Sequence, residues 1–290
     1  MKGKEETIKD YQERINKVLH YVNNNLDEKL DLKRLADISN FSTFHFHRIM
    51  RAHLNESLGA YIVRIRLDTA ARLIKFTGEP LNEIAYKVGY DTPSSFSKAF
   101  KKRFNFSPLD FRNENHDLKL NGAYIDPENL KYTMKLKPKI VTLSGKQVVY
   151  IQTIGKYGDP ATGEAWDKIW KFVKENKLFS WRMESIGICH DDPDITEPEK
   201  CRYDACITVK KEIKPEGEVG FKKIPGGKYA VFKFKGPYDQ FNSVYKTIYR
   251  EWLPGSGFEL RNVPGFEKYL NNPNNTKPEK LLTEIYIPII

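Results

Sequence analysis

One loop of this chain occurs twice, 80 residues apart, and this repeat restricts the fold more than any other feature. The sequence HDDPDITEPEK occupies residues 190–200, and LNNPNNTKPEK occupies residues 270–280 (270 − 190 = 80). The prolines, the threonine and the final PEK recur, whereas the aspartates of the first copy are replaced by asparagines. Asp and Asn both favour tight turns, so the second copy keeps the shape of the loop and loses its charge.

The similarity extends on both sides of the loop. Upstream, VVYIQTIGKYGD pairs with YAVFKFKGPYDQ and AWDKIWKFVKE pairs with SVYKTIYREWL; downstream, CRYDACITV pairs with LLTEIYIPI. In each copy the pattern predicts a strand, a helix, a strand, the loop and a last strand. The sequence therefore predicts a duplicated βαββ domain of the α+β class, which we place at residues 146–290.

The last strand of each copy has two different faces. Tyr203, Ala205 and Ile207 alternate along one face, and Thr283, Ile285 and Ile287 are their partners. Because side chains alternate across a strand, this face is predicted to pack on the helix. The opposite face carries Asp204 in the first copy and Glu284 in the second.

The N-terminal region predicts short helices joined by turns. In LDLKRLADISNFSTFHFHRIMRAH a short helix ends at Asn40 and a second helix starts after Ser42 as N-cap. EPLNEIAYKVGYDTPSSFSKAFKKRF repeats the plan, with Gly89 at the turn and Thr92 followed by Pro93 at the cap. Both segments are candidate helix-turn-helix units.

A long helix is predicted between these units. SLGAYIVRIRLDTAARLIKF contains no proline and begins at a possible cap, Ser57. About 20 helical residues span roughly 30 Å, close to the distance of about 34 Å between successive major grooves on one side of a duplex. One chain could therefore place two recognition helices in adjacent grooves. Residues 40–112 contain 12 Lys and Arg and 6 Asp and Glu, a net of +6 in a chain of +10, as expected of a surface that faces a polyanion.

Residues 30–112 resemble the DNA-binding domain of AraC-type transcription regulators. The resemblance lies in LADISNFSTFHFHRIM, SLGAYIVRIRLDTAARLI and IAYKVGYDTPSSFSKAFKKRFNFSPLDFR. It implies an all-α double helix-turn-helix domain, here residues 1–116, that binds double-stranded DNA, with contact to RNA polymerase as an activator. The base-reading positions it implies are Phe44, His47 and Arg48, and Ser94, Ser95 and Lys98.

The residue types at these positions suit DNA. Arg48 can donate two hydrogen bonds to a guanine, Phe44 can contact a thymine methyl group, and Ser94 or Ser95 can bond a base or phosphate. The cations Lys101, Lys102 and Arg103 are expected to contact phosphates. Phe44 could instead be a core residue, since Phe41 and Phe46 lie close by.

Residues 146–290 resemble the GyrI-like small-molecule-binding domain, through GKYGD, GPYDQF and the final LLTEIYIPI. The resemblance implies a bound effector and places its glutamate at Glu284, with Trp166, Trp170 and Tyr245 as an aromatic cluster and Tyr286 on the face beside Glu284. Aromatic rings around a carboxylate suit a small aromatic or cationic ligand. Residues 117–145 are polar and turn-rich and are predicted to be the linker.

Three alternatives remain open at this stage. Glu284 could be ion-paired, for example with Arg202, rather than bind a ligand. The domain could be a hydrolase of small electrophiles with Glu284 as general base to a water, or a protein-interaction module whose pocket is filled by its own aromatic residues. We expect a regulator rather than an enzyme.

Composition excludes several classes of protein. The three cysteines do not suffice for a disulfide framework and match no zinc pattern, so no metal or cofactor is expected. MKGKEETIKDYQ lacks the apolar core of a signal peptide, and no run of about 18 apolar residues exists. We expect a cytoplasmic protein without a membrane partner, and a monomer or weak dimer because one chain already carries two recognition helices.

Overall fold

The computed structural model of the protein describes residues 4–121 and 136–290. The contacts within the chain divide it into two compact units. The first consists of the residues up to 120 together with the short segment Glu216–Glu218, and the second consists of the rest. Within the described residues the first unit is helical, and the second contains an eight-stranded sheet with helices, as the sequence predicts. Among the residues that the structure describes, none of the helices combines the length and the apolar character that a membrane span requires.

Seven helices form the described part of the first unit. They are α1 (Lys4–Asn24), α2 (Leu32–Ser39), α3 (Thr43–Leu54), α4 (Leu58–Phe76), α5 (Leu81–Lys87), α6 (Pro93–Phe104) and α7 (Pro108–Asn121). Apolar residues recur at helical spacing along α1; they are buried from Ile15 to Val22, whereas Ile8 and Tyr11 near its start are exposed. The helix therefore packs through its second half.

The predicted turns and caps of the two helix-turn-helix units are confirmed. Asn40, between α2 and α3, has φ 53°, and Gly89, between α5 and α6, has φ 82°, so both turns use the left-handed region. Thr92 caps α6 by accepting a hydrogen bond from the Ser95 amide at 3.2 Å. Ser42 occupies the N-cap of α3, but its side chain makes no capping hydrogen bond.

The apolar residues of each second helix face inward as predicted. Phe46 and Met50 of α3, and Phe96 and Phe100 of α6, are fully buried or nearly so. The connecting helix α4 has 19 residues, so it spans about 29 Å. Each second helix therefore keeps its polar side available to solvent.

The second unit contains eight strands in one antiparallel sheet. They are β1 (Lys139–Leu143), β2 (Lys146–Ile154), β3 (Ser185–Cys189), β4 (Arg202–Thr208), β5 (Gly220–Ile224), β6 (Gly227–Lys235), β7 (Phe266–Tyr269) and β8 (Leu282–Pro288), in the order β1-β6-β8-β7-β3-β4-β2-β5. Helix α8 (Pro160–Glu175) follows β2. Helix α9 (Phe241–Thr247) follows β6 and continues through a π-helical turn, Ile248–Trp252, into the short α10, Leu253–Gly255.

Two short connections force the sheet to curl. β1 joins β2, and β5 joins β6, through two residues each, yet the members of each pair lie six positions apart in the sheet. A flat sheet would separate them by about 29 Å, whereas three peptide units reach about 10 Å. The backbone around Gly226 accordingly touches that of Leu143 and Gly145. The sheet is a half-barrel.

The two faces of the sheet have separate cores. On one face Val149, Ala205 and Ile207 pack on α8, and Phe232, Ile285 and Ile287 pack on α9. We call this the helix-covered face, and it is the face that the alternation of the last strands predicts. The other, which we call the inner face, is filled by strand residues such as Tyr150, Phe266 and Tyr286.

One boundary and one alignment differ from the sequence prediction. β1 lies within residues 117–145, so the sheet begins at Lys139 and not at 146, because KIVTL is an edge strand that pairs with β6. Residues 122–135 of the predicted linker lie outside the described residues. The letter-by-letter pairing of the helices is wrong by one residue, because Ala165 and Ile169 occupy the buried face that Val244 and Ile248 occupy in the other copy.

Candidate functional site

The candidate base-reading residues lie on the exposed sides of α3 and α6. His47 and Arg48 of α3 are exposed, as are Ser94, Ser95 and Lys98 of α6. The side chain of Phe44 lies outside what the structure describes. The Ser95 hydroxyl donates to the Thr92 carbonyl at 2.8 Å and accepts from the Thr92 hydroxyl at 3.0 Å, so it also belongs to the cap of α6.

The three cations at the end of α6 have different surroundings. Lys101 and Lys102 are exposed. Arg103 is partly buried, and its Nε donates to Oδ1 of the buried Asp68 of α4 at 2.7 Å. Arg103 therefore ties α6 to the connecting helix, and a phosphate contact by this residue stays a prediction.

The five candidate ligand residues do not form one cluster. Trp166, Trp170 and Tyr245 pack on the helix-covered face. Tyr286 packs on the inner face, and Glu284, two residues before it on β8, lies on that side too. The expected single pocket is therefore wrong, because the sheet separates Glu284 from the tryptophans.

Glu284 lies in a chain of paired charges on the inner face. Its Oε2 accepts a hydrogen bond from the Tyr286 hydroxyl at 2.9 Å and lies 3.6 Å from Nζ of Lys268. Lys268 also pairs with Glu184 at 3.0 Å, and Glu184 pairs with Lys146 at 2.6 Å. Glu284 is thus ion-paired, as one alternative held, but with Lys268 rather than Arg202.

A second group of buried charges lies at the other end of the inner face. Asp204 accepts hydrogen bonds from Gln152 at 2.8 Å and His190 at 2.6 Å, and pairs with Lys222. Burial alone would raise the pKa of Asp204, but His190 and Lys222 hold it below its ordinary value. Both carboxylate oxygens are occupied, so this group stabilises the fold.

A buried glutamate that the sequence analysis did not single out lies among aromatic residues of the helix-covered face. Glu267 of β7 is 1% exposed. Its Oε1 accepts from the Tyr245 hydroxyl at 3.0 Å, and its Oε2 accepts from the Tyr269 hydroxyl at 2.6 Å. The thiol of Cys189 lies 3.8 Å from Oε1. None of the described cations forms an ion pair with this carboxylate.

Burial dominates the protonation of Glu267. It raises the pKa of the carboxyl group to about 7, although the hydrogen bonds from Tyr269, Tyr245 and Cys189 act in the opposite direction. The group is therefore close to half ionised at neutral pH. A cation placed beside it would favour the ionised form.

Five aromatic residues enclose this carboxylate, and we call the group with Glu267 the carboxylate cage. It consists of Trp166, Tyr203, Tyr238, Tyr245 and Tyr269 around Glu267. Trp166 donates from Nε1 to the Tyr203 hydroxyl at 3.2 Å, and the Tyr203 and Tyr269 hydroxyls are 3.1 Å apart. Trp170 lies one helical turn further on and stacks on Phe179 with ring centroids 6.1 Å apart.

Gly187 makes room for two tyrosine hydroxyls of the cage. It is the direct partner of Glu267 across the β3–β7 pair, and it occupies the same place in the first copy as Glu267 in the second (267 − 187 = 80). A Cβ atom at Gly187 would collide with the Tyr269 hydroxyl and lie 2.6 Å from the Tyr203 hydroxyl. The repeat itself could have indicated Glu267, because the alignment of the two copies places this carboxylate opposite a glycine, which has no side chain.

Comparison with known families agrees with both units. Residues 136–290 match the GyrI-like small molecule binding domain. Residues 35–114 match a helix-turn-helix domain.

Individual relatives share one unit or the whole architecture. The probable transcriptional regulator YgiV of Escherichia coli is 32% identical over 125 residues, covering 39% of this chain and 78% of YgiV. The transcriptional regulator Rob of Salmonella typhimurium is 21% identical over 289 residues, covering 95% of this chain and 97% of Rob. Among solved structures, the C-terminal domain of AraT from Geobacillus stearothermophilus is 30% identical, with 39% of this chain and 92% of that domain covered and a TM-score of 0.34.

The matched family models cover the helical unit and the curled sheet, which are the two units that the structure shows. The chain therefore belongs to the AraC-type transcription regulators that carry a GyrI-like small molecule binding domain.

Proposed function

We propose that this DNA-binding regulator recognises two short half-sites about one helical turn apart, and that its carboxylate cage binds a small aromatic cation that alters DNA binding. The observation that carries the ligand proposal is Glu267, a buried carboxylate among aromatic rings with no ion-pair partner among the described residues. Buried charges in proteins are normally paired, so a ligand cation would supply the missing charge.

The DNA proposal rests on the two capped helices. α3 and α6 each bury an apolar side and expose Arg48 or Lys98 on the other, and α4, which connects the two helix-turn-helix units, is about 29 Å long. Adjacent major grooves on one side of a duplex are about 34 Å apart, so a modest bend of the DNA would admit both helices.

The DNA proposal is tested by selecting bound duplexes from a random pool at near-physiological salt. We expect a motif with two half-sites about one turn apart. Arg48→Ala should weaken binding to that motif by about 1–3 kcal/mol and relax base preference at one position, because a bidentate contact to guanine is lost. Lys17→Ala, on the exposed side of α1, is the control and should leave the motif unchanged. Equal loss on random DNA would assign Arg48 to a phosphate instead.

The ligand proposal is supported by the chemistry of the cage. Aromatic faces attract cations, and the interaction strengthens when water is excluded. The Tyr245 and Tyr269 hydroxyls fix the position of the carboxylate, so the site is organised before a ligand arrives. Trp166 offers a large ring beside it.

A matched pair of probes tests the ligand proposal. We expect 2-phenylethylamine to bind at least tenfold more tightly than the neutral 2-phenylethanol, measured by ligand-observed NMR titration. Glu267→Gln should abolish this preference, whereas Glu284→Gln should retain it, because Glu284 is ion-paired on the other face. If Glu284→Gln removed the preference and Glu267→Gln did not, the site would have to move to the inner face.

Regulation requires that the ligand bind the DNA-bound and free states differently. We expect a bound amine to change the operator dissociation constant, and the operator to change amine affinity by the same factor. Contact with RNA polymerase and a monomeric state remain expectations from the sequence. Sedimentation of the operator complex with and without polymerase would test both.

Hydrolysis of small electrophiles is a second candidate, favoured by one observation. Glu267, with a pKa raised to about 7 by burial, is suited to act as a general base on a water near neutral pH. This role moves from Glu284, where the sequence placed it, to Glu267. Product formation that Glu267→Gln abolishes would support catalysis, and tight reversible binding without turnover would exclude it.

A further inference from the structure

Two polar groups beside the carboxylate cage have no hydrogen-bond partner among the described residues. The Oγ1 atom of Thr283 and the Oε1 atom of Gln240 are buried and unpaired. Tyr238, whose ring lies nearby, is half-buried, and burial raises the pKa of its hydroxyl to about 12. Buried polar groups in folded proteins are nearly always satisfied, so the two buried atoms of Thr283 and Gln240 require an explanation.

The strand register places Thr283 next to the cage. It is the direct partner of Tyr269 in the β7–β8 pair and of Phe234 in the β6–β8 pair, so its side chain lies on the helix-covered face. Glu267 pairs with Ile285 on the same strand, two residues from Thr283. Such diagonal neighbours lie about 7–8 Å apart, which is the length of a small aromatic molecule.

Ring contacts place Tyr238 and Gln240 in the same corner. The ring of Tyr238 lies 5.2 Å from that of Tyr269 and 5.3 Å from that of Phe241, between centroids. Phe241 also contacts Phe234, the strand partner of Thr283, at 5.7 Å. Gln240 directly precedes Phe241 in the chain. Thr283 and Tyr238 therefore both adjoin Tyr269 of the cage, and Gln240 precedes Phe241, whose ring contacts Tyr238.

The chemistry of these groups defines what would satisfy them. A threonine or tyrosine hydroxyl can donate or accept, and the glutamine Oε1 only accepts. A ligand hydroxyl can accept from one of them and donate to another. A methyl group or a bare ring edge could do neither.

We propose that the cage has a second polar end, formed by Thr283, Gln240 and Tyr238, and that the effector is an aromatic cation with a hydroxyl group opposite its charge. This inference rests on the proposed cation site at Glu267. Thr283, which is 1% exposed and fixed in the sheet, determines the preference for the hydroxyl group.

Tyramine and 2-phenylethylamine test this proposal, because they differ only in the phenolic hydroxyl opposite the amine. Dissociation constants are measured by ligand-observed NMR for the full chain and for Thr283→Val, which keeps the shape and removes the hydroxyl. We expect the wild-type protein to prefer tyramine by about tenfold, and Thr283→Val to lose the preference while its affinity for 2-phenylethylamine is unchanged. Thr142→Val, on the exposed side of β1, is the matched control.

The possible results separate the two proposals. Equal binding of the two amines to the wild type, or a tyramine preference that survives in Thr283→Val, overturns the second polar end and leaves the cation site intact. Failure of Glu267→Gln to weaken either amine, or no binding of either to the wild type, overturns the cation site and this inference with it. Thermal unfolding of Thr283→Val checks folding, and its midpoint should not fall because the removed hydroxyl makes no bond.

Discussion

The protonation of Glu267 makes the stability of the protein depend on pH. Its pKa is about 7 in the folded protein and about 4.5 ordinarily, so the folded state binds the proton more tightly. The stabilisation is complete below the lower value and is lost as the pH rises through 7, by about 3 kcal/mol in total.

Glu267→Gln should remove this pH dependence, because a neutral amide does not titrate. We expect its unfolding midpoint to exceed that of the wild type at pH 8, and the difference to shrink at pH 5. Thermal unfolding followed across this range is the measurement, with Glu284→Gln as control. A difference that stays constant with pH would mean that Glu267 is ionised throughout.

Gly187 should be essential to the cage. Gly187→Ala brings a methyl group against the Tyr203 and Tyr269 hydroxyls, so we expect a destabilisation of about 1–3 kcal/mol and at least tenfold weaker amine binding. Gly163→Ala in α8 has open space around it and should leave binding unchanged. Unfolding and NMR titration of both variants decide the matter; normal binding by Gly187→Ala would place the ligand elsewhere.

The length of a strand decided whether the sequence could assign its residues to a face of the sheet. Seven-residue strands such as β4 and β8 show a clear alternation, which correctly assigned Ala205 and Ile285 to the helix-covered face. β7 has only four residues, and Glu267 stands next to Lys268, which resembles an exposed charged pair. Only the register with β3 and β8 shows that these two side chains lie on opposite faces.

Among the elements, the recognition helices were the most predictable because local rules set their ends. Thr92 accepts the expected capping hydrogen bond at the start of α6, and Ser42 occupies the N-cap position of α3 without one. Both helices also end at an asparagine with positive φ, Asn55 at 56° and Asn105 at 63°. Long-range contacts were not predictable, and the Arg103–Asp68 pair is one of them, since it joins helices 35 residues apart in the chain.

The Arg103–Asp68 pair distinguishes Arg103, which is bonded within the protein, from the exposed Lys101 and Lys102 on the same helix. Arg103→Ala should destabilise the protein by about 1–3 kcal/mol, because the buried Asp68 would lose its partner at 2.7 Å while Arg64 stays 3.8 Å away. We expect it to weaken binding to all DNA sequences without changing the slope of log affinity against log salt. Lys101→Ala should reduce that slope by about 1, as a phosphate contact requires. A reduced slope for Arg103→Ala, from salt titrations of binding, would show that Arg103 meets phosphate directly.

The sheet of the second unit depends on both copies of the repeat. β1 belongs to the first copy but pairs with β6 of the second, and β5 belongs to the second but pairs with β2 of the first. The first strand of each copy is therefore exchanged and pairs with a strand of the other copy. The duplicated sequence predicted three strands and the helix of each copy but neither β1 nor β5, and their exchange depends on the two-residue connections and the curl.

Strand exchange predicts that neither copy folds alone. A chain cut between Lys211 and Glu212 should give two fragments of which neither forms its part of the sheet alone, and which form the sheet when refolded together, because β1–β6 and β2–β5 pairing needs both. Circular dichroism and co-elution of the fragments test this. Cooperative unfolding of residues 212–290 alone would contradict it.

The pseudo-twofold axis between β3 and β7 passes between Gly187 and Glu267. A homodimer of a single copy, with the same exchanged strands, would have to place identical residues there. Two glutamates would bring two buried carboxylates into repulsion, and two glycines would leave no charge. Joining the copies in one chain removes that constraint, so the axis can hold one carboxylate opposite one glycine, whose missing side chain makes room for the Tyr203 and Tyr269 hydroxyls. A ligand at the proposed site would therefore be bound in a single orientation, although the frame around it is nearly symmetric.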